Sequence, residues 1–126
     1  ADIAKSVYRD IAPLLTFCLP TFEDEQRLFK DRDPTVTATR WLDWGATEVI
    51  VKNGSKTALL ATPWEQIHSY PIPIERVVDT TAAGDAFNAS YLVRRLVGDP
   101  SRLAADAAHT LAAQVIQHKG AIAPLA

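Results

Sequence analysis

The chain has 126 residues, 48% of them hydrophobic, with 13 basic against 15 acidic residues and a net charge of −2. That size suits one domain with a core of its own, and charges scattered this evenly form neither a basic stripe for nucleic acid nor a polybasic run for a membrane surface. No apolar stretch approaches the roughly 20 residues of a membrane helix, and a single cysteine, Cys18, excludes an internal disulfide and fits a cytoplasmic setting.

The first segment, Ala1 to about Ala12, has helical spacing, with Ile3, Val7 and Ile11 on one stripe and Pro13 at its end. Asp2, Lys5, Arg9 and Asp10 break it too early for a signal peptide. The chain opens on Ala-Asp-Ile and contains no methionine, so it is expected to be either processed at its N-terminus or a fragment. Leu14 to Leu19 is a short apolar run bounded by prolines, the pattern of a buried strand. Thr21-Phe-Glu-Asp24 has the form of a capping box, starting a helix to about Phe29. Lys30 to Asp33 reads as charged and solvated. Asp33-Pro34 then supplies an N-cap and a first-turn proline for a third helix, which carries Val36, Trp41 and Leu42 and stops before Gly45.

Thr47 to Lys52 is rich in β-branched residues and predicts a strand. Asn53-Gly54 is a hairpin turn signal, with Thr57 to Thr62 as the returning strand. Three prolines between Pro63 and Pro73 leave room for a short edge strand at most. Glu75 to Val78 leads into Asp79 to Asp85, the sequence DTTAAGD. A helix with Phe87, Leu92, Leu96 and Val97 on one side follows and ends at Gly98. Ser101 is expected to cap a last helix, through Leu103, Ala107, Leu111, Val115 and Ile116, ending before Gly120. Strands alternating with helices predict an α/β layer architecture. Three or four strands are few for a complete doubly wound sheet, and an exposed sheet edge would favour self-association into a homo-oligomer.

DTTAAGD is the segment with chemistry in it. Small residues at Ala82, Ala83 and Gly84 let the backbone approach a ligand, and the following helix points its N–H groups and positive dipole end at the same spot. Such a turn can hold phosphates. Asp85, in the first turn, could accept the proton of a hydroxyl during phosphoryl transfer. The residues alone leave a second reading open: Asp79 or Thr80 as an ordinary N-cap and Asp85 as an ordinary first-turn acid. The segment lacks the Lys-Ser/Thr pair of a Walker loop.

DTTAAGDAFNASYL resembles the C-terminal motif of the ribokinase-like (PfkB) carbohydrate kinases. TEVIVKNG resembles the strand and turn before that family's nucleotide pocket, and AAQVIQHKGAIAP the exit of its last helix. The paired threonines and alanines, with VIQHKGAI, are most similar to the branch that phosphorylates 2-keto-3-deoxygluconate. The resemblance implies the C-terminal, nucleotide-binding part of a three-layer ribokinase-like domain, spanning residues 1–126, with the N-terminal half and lid absent. It implies ATP and Mg²⁺ as cofactors and a small sugar acid as substrate, with ribokinase or fructokinase activity, or a silent binding fragment, as alternatives.

In that scheme Asp85 is the base, and Ala82, Ala83 and Gly84 form the anion hole. Lys52, Asn53 and Gly54 lie along the nucleotide, and residues Gln117 to Gly120 pack near its adenine. The family's Asn-x-x-Glu motif falls on Thr21 to Asp24, so Asp24 would reach the metal through water, since Mg²⁺ usually keeps several waters. Glycine is common in the family where this chain has Ala82.

The remaining features carry structural readings. His68, His109 and His118 show no ligand spacing. Cys18 reads as a packing residue, and Trp41, Trp44 and Trp64 as core or interface rather than a base-stacking platform. The acids Glu23, Asp24 and Glu25 read mostly as a solvated helix start.

Overall fold

The computed structural model describes residues 2–73 and 82–117. The chain divides into two compact units, Ala1–His68 and Ser69–Ala126.

The first unit begins with α1 (Asp2–Ile11), which continues as one 3-10 turn (Ala12–Leu14) rather than stopping at Pro13. Proline is acceptable there because the start of a helical turn does not need its N–H. The α1 stripe of the sequence reading is not the buried one: Ile3, Val7 and Ile11 are all exposed. Tyr8 points inward instead, its ring centroid 5.5 Å from that of Trp41. The predicted strand at Leu14 to Leu19 shrinks to β1 (Phe17–Cys18). It runs parallel to β2 (Glu48–Val51), and β2 is antiparallel to β3 (Ala58–Ala61). With β4 (Gln66–Ser69), the expected short edge strand, the mixed sheet has the order β1-β2-β3-β4.

Every residue of β2 and β3 is buried. Full burial of an aliphatic side chain such as Val49, Val51 or Leu59 stabilises by roughly 1.5–3 kcal/mol. These three pack with Ala12, Cys18, Ala38, Trp41 and Ala46 in one core. The hairpin forms, but its turn differs from the two-residue form: Lys56 N–H donates to the Asn53 carbonyl at 3.0 Å, and Gly54, at φ +58°, is the residue in left-handed conformation.

Helix α2 spans Phe22–Phe29 and α3 spans Pro34–Asp43. The α3 boundaries match the sequence reading. Asp33 accepts a bond from Val36 N–H at 3.1 Å, and at the far end Gly45 donates to Leu42 and Ala46 to Trp41, a Schellman ending. The capping box at α2 does not form. Thr21 is the N-cap, but its side chain makes no capping bond.

In the second unit α4 (Ala83–Leu96) and α5 (Ser101–Ile116) form a helical hairpin. Gly98, at φ +104°, terminates α4 as expected. The buried faces differ from the predicted stripes: α4 buries Phe87 and Tyr91 while Leu96 and Val97 are exposed. In α5 the buried face is Ala104, Ala105, Ala108, His109, Ala113 and Val115, with Leu103 exposed. Small alanines allow two helices to approach closely, and the aromatic pair Phe87–Tyr91 fills the remaining space. Ser101 is the first helical residue and Pro100 the N-cap, so the expected serine cap is absent.

Candidate functional site

In the first unit, the carboxyl ends of the parallel strands carry four of the expected residues. Lys52 N–H donates to the Pro20 carbonyl at 2.9 Å, and the Lys52 carbonyl accepts from Phe22 N–H at 2.8 Å. Thr21 and Lys52 thus extend the parallel pairing by one bridge. The first turn of α2, with Asp24, therefore starts beside the strand end that leads into Asn53 and Gly54. Ligands of open α/β sheets bind at this end of their strands. The Asp24 side chain is 75% exposed, with a 4.0 Å contact to Arg27 as its ion pair. Behind this turn, burial pushes the Cys18 thiol up to about 12, aided by the Glu25 charge and opposed by that of Lys52.

Two sequence readings of this region are corrected. Glu25 is not part of a solvated helix start, and Asp31 is not solvated: both are buried. Arg40 holds them together, with contacts of 2.6 Å to Glu25 Oε2 and 2.6 Å to each Asp31 oxygen. Thr37 Oγ1 donates to Asp31 Oδ2 at 2.5 Å, and the guanidinium lies 3.7 Å from the Phe29 ring centroid. Burial raises the Asp31 carboxyl, but the hydrogen bonds from Arg40 and Thr37 and the Arg40 charge outweigh it and hold it below its ordinary value. For Glu25 burial prevails over Arg40 and lifts the carboxyl. These partners are 6 to 15 residues apart in sequence. The one local signal was Thr37 and Arg40 three apart on an otherwise apolar face beside Trp41.

In the second unit, Ala82 has φ +62° and ψ 6° and is the N-cap of α4. Ala86 N–H donates to its carbonyl at 2.8 Å, closing the first helical turn. The N–H groups of Ala83, Gly84 and Asp85 consequently lie in the first turn, where a helix supplies them no acceptor. Asp85 is the third residue of α4 and exposed. The cap therefore sits at Ala82, which has no polar side chain, rather than at Asp79 or Thr80. Residues 74–81 lie outside the described residues, as does the expected adenine contact beyond Gln117. Under α4, His109 packs edge-on against Phe87, ring centroids 5.0 Å apart. Burial lowers its imidazole, overcoming the Asp106 charge and a hydrogen bond with the Ser69 backbone.

A groove of about 620 Å³ runs along α3, lined by Arg32, Asp33, Thr35, Val36, Thr39, Arg40, Asp43 and Trp44. Two basic and two acidic side chains cancel there, and none of the expected site residues lines it. Among the described residues no group of three or more His, Cys, Asp or Glu side chains is arranged to hold a metal. A single exposed carboxylate such as Asp24 would suit only a Mg²⁺ ion that keeps most of its waters. No helix among the described residues is long and apolar enough to cross a membrane.

Residues 1–126 match the pfkB family of carbohydrate kinases. The chain belongs to that family. Among curated pfkB relatives, the 2-dehydro-3-deoxygluconokinase of Escherichia coli (strain K12) is 36% identical over 123 residues, covering 95% of this chain and 40% of the relative. That of Haemophilus influenzae is 38% identical over 121 residues, covering 94% and 38%. The chain thus spans about 40% of the length of such relatives. The solved ribokinase of Thermotoga maritima superimposes with a TM-score of 0.81 at 29% identity, over 90% of this chain and 39% of that one. A putative ribokinase II from E. coli, in complex with ATP and Mg²⁺, gives 0.82 at 26% identity, over 95% and 39%. The pfkB chain therefore has the α/β architecture that its strand and helix order predicted, in the ribokinase-like form that the resemblance implied.

Proposed function

We propose that this chain is the C-terminal, nucleotide-binding portion of a kinase that transfers the γ-phosphate of ATP to a hydroxyl of 2-keto-3-deoxygluconate. The observation that carries the reading is the left-handed Ala82 opening directly into α4, with Asp85 at the helix's third position. The N–H groups of Ala82, Ala83 and Gly84 would receive the negative charge of the transferring phosphate at the positive end of the helix dipole. Asp85 takes the proton as the substrate oxygen bonds to phosphorus and ADP leaves. Lys52, Asn53 and Gly54 line the nucleotide. Asp24 would hold Mg²⁺ through water, and the bound ion would supply charge neutralisation on the phosphates. The substrate assignment is supported by the 36–38% identity to relatives named 2-dehydro-3-deoxygluconokinase, the same sugar acid under another name.

A second reading is ribokinase-type specificity, favoured by the superposition on ribokinases at 26–29% identity. Residues beyond this chain would then choose the sugar.

The test is a coupled assay on the complete protein with 2-keto-3-deoxygluconate, ribose and fructose, beside an Asp85→Asn variant. Turnover on the sugar acid, reduced about 10²–10⁴-fold by Asp85→Asn, is expected for the loss of a catalytic base. Unchanged turnover in the folded variant would defeat the assignment of Asp85. Turnover on ribose alone would move the substrate to the second reading. The 126-residue chain assayed by itself then tells an active portion from a silent one.

A further inference from the structure

We propose that Arg40 is a positioning residue, which through Glu25 fixes the first turn of α2 so that Asp24 faces the nucleotide's metal. The inference rests on the metal role given to Asp24 above and extends it to a residue that touches neither metal nor nucleotide.

Helix α2 is eight residues long, too short to hold itself in place by its own hydrogen bonds. Its beginning is tied to the sheet through Phe22 N–H on the Lys52 carbonyl, and the Phe22 side chain packs against the core. These contacts fix where the helix starts, and the ring contacts of Phe29 with Tyr8 and Trp44 fix where it ends. The acid that clamps this first turn comes one residue after Asp24, where Glu25 points inward to Arg40, with 6% of the Glu25 and 14% of the Arg40 side chain exposed. Neighbouring residues on a helix project about 100° apart, so clamping Glu25 inward fixes the direction of Asp24.

The clamp itself is rigid. Arg40 grips Asp31 with both terminal nitrogens, stacks on Phe29 at the other end of α2, and belongs to α3, whose Trp41 and Ala38 are core residues. Gln26 Nε2 adds a bond to the Asp31 carbonyl at 3.2 Å. A planar guanidinium with two donor edges can bridge two carboxylates in this way, whereas a lysine cannot reproduce its geometry but does keep its charge.

The experiment measures metal binding without turnover. Mn²⁺, as a probe for Mg²⁺, is titrated into the complete protein saturated with a non-hydrolysable ATP analogue and followed by electron paramagnetic resonance. The variants are Arg40→Met, Arg40→Lys, Asp24→Asn and the double Asp24→Asn/Arg40→Met. The expected result is a metal Kd raised about fivefold by Arg40→Met and about twofold by Arg40→Lys. In the double variant the Kd should equal that of Asp24→Asn alone, because the positioned group is already gone. An unchanged Kd in Arg40→Met, or a double variant weakened by the product of the two single effects, overturns the proposal. Should Arg40→Met not fold, Glu25→Gln, which keeps the side chain's size, is read by the same criteria. An unchanged Kd in Asp24→Asn would instead sink the metal role of Asp24, whatever the Arg40 variants do.

Discussion

Lys52 and Thr21 face each other across the end of the parallel pair, and the two bonds that join their strands are made by backbone atoms alone: Lys52 N–H to Pro20 and Phe22 N–H to Lys52. These two bonds do not depend on the lysine side chain. A Lys52→Met variant should keep these backbone bonds and lose the ammonium. In the complete protein, titration calorimetry should find ATP bound about tenfold more weakly, a loss of about 1.4 kcal/mol. Unaltered ATP affinity would remove Lys52 from the nucleotide site.

Ala82 sits at φ +62°, a region that costs an L-residue roughly 1–2 kcal/mol. Glycine escapes that strain but loses about 0.4–1 kcal/mol through its freer unfolded state. Ala82→Gly should therefore raise stability by up to about 1 kcal/mol, and Ala82→Val should lower it, since a β-branched residue fits this region worse. Denaturant midpoints of the two variants check the sign.

Gly45 and Gly54 should respond differently to alanine although both have positive φ. A Cβ on Gly45 would lie 3.1 Å from the Pro13 Cα, whereas nothing stands within 4 Å of one on Gly54. Gly54→Ala should cost about 1 kcal/mol, the conformational strain alone. Gly45→Ala should cost on the order of 3 kcal/mol, because the crowding against Pro13 backbone adds to that strain. Thermal melts of both variants decide it; equal losses would show that the Pro13 turn gives way freely.

Stability should fall as the solution is acidified through the histidine range. Burial lowers His109 from its ordinary value of 6.5, so between the two values the unfolded chain holds a proton that the folded chain does not. The contribution is fully present above pH 6.5 and is lost as pH falls through the lowered folded value. His109→Phe should flatten this part of the pH profile, with melting temperature measured from pH 8 to pH 5. An unchanged slope would assign the pH dependence to other groups.

Much of the fold was legible because its boundaries are written in backbone chemistry. Asp33-Pro34 and Gly45 marked both ends of α3, Gly98 ended α4, and Asn53-Gly54 placed the reversal between β2 and β3. The buried helix faces were misread at Leu96, Val97 and Leu103, large aliphatic residues placed on the inner stripe, whereas Val115 on the same α5 stripe is buried. Ala104, Ala105, Ala108 and Ala113 form an inner face precisely suited to close helix contact yet carry little hydrophobic weight each, while Leu96, Val97 and Leu103 carry more and lie outside. Near the candidate site, the start of α4 at Ala83 was readable because small residues before a helix carry their own physical meaning. The Arg40 cluster was not: Glu25 and Asp31 looked like any surface acids, and only the packing of α2 on α3 brings them to one guanidinium.

Cys18 is the one thiol in the chain, it is buried, and burial pushes its ionisation far above the ordinary thiol range. Since the thiolate is the form that reacts, an alkylating reagent meets an inert molecule until β1 and its neighbours part. Each modified chain then records one such opening. The protein carries its own clock for that event, readable by mass spectrometry with no label added and no residue changed.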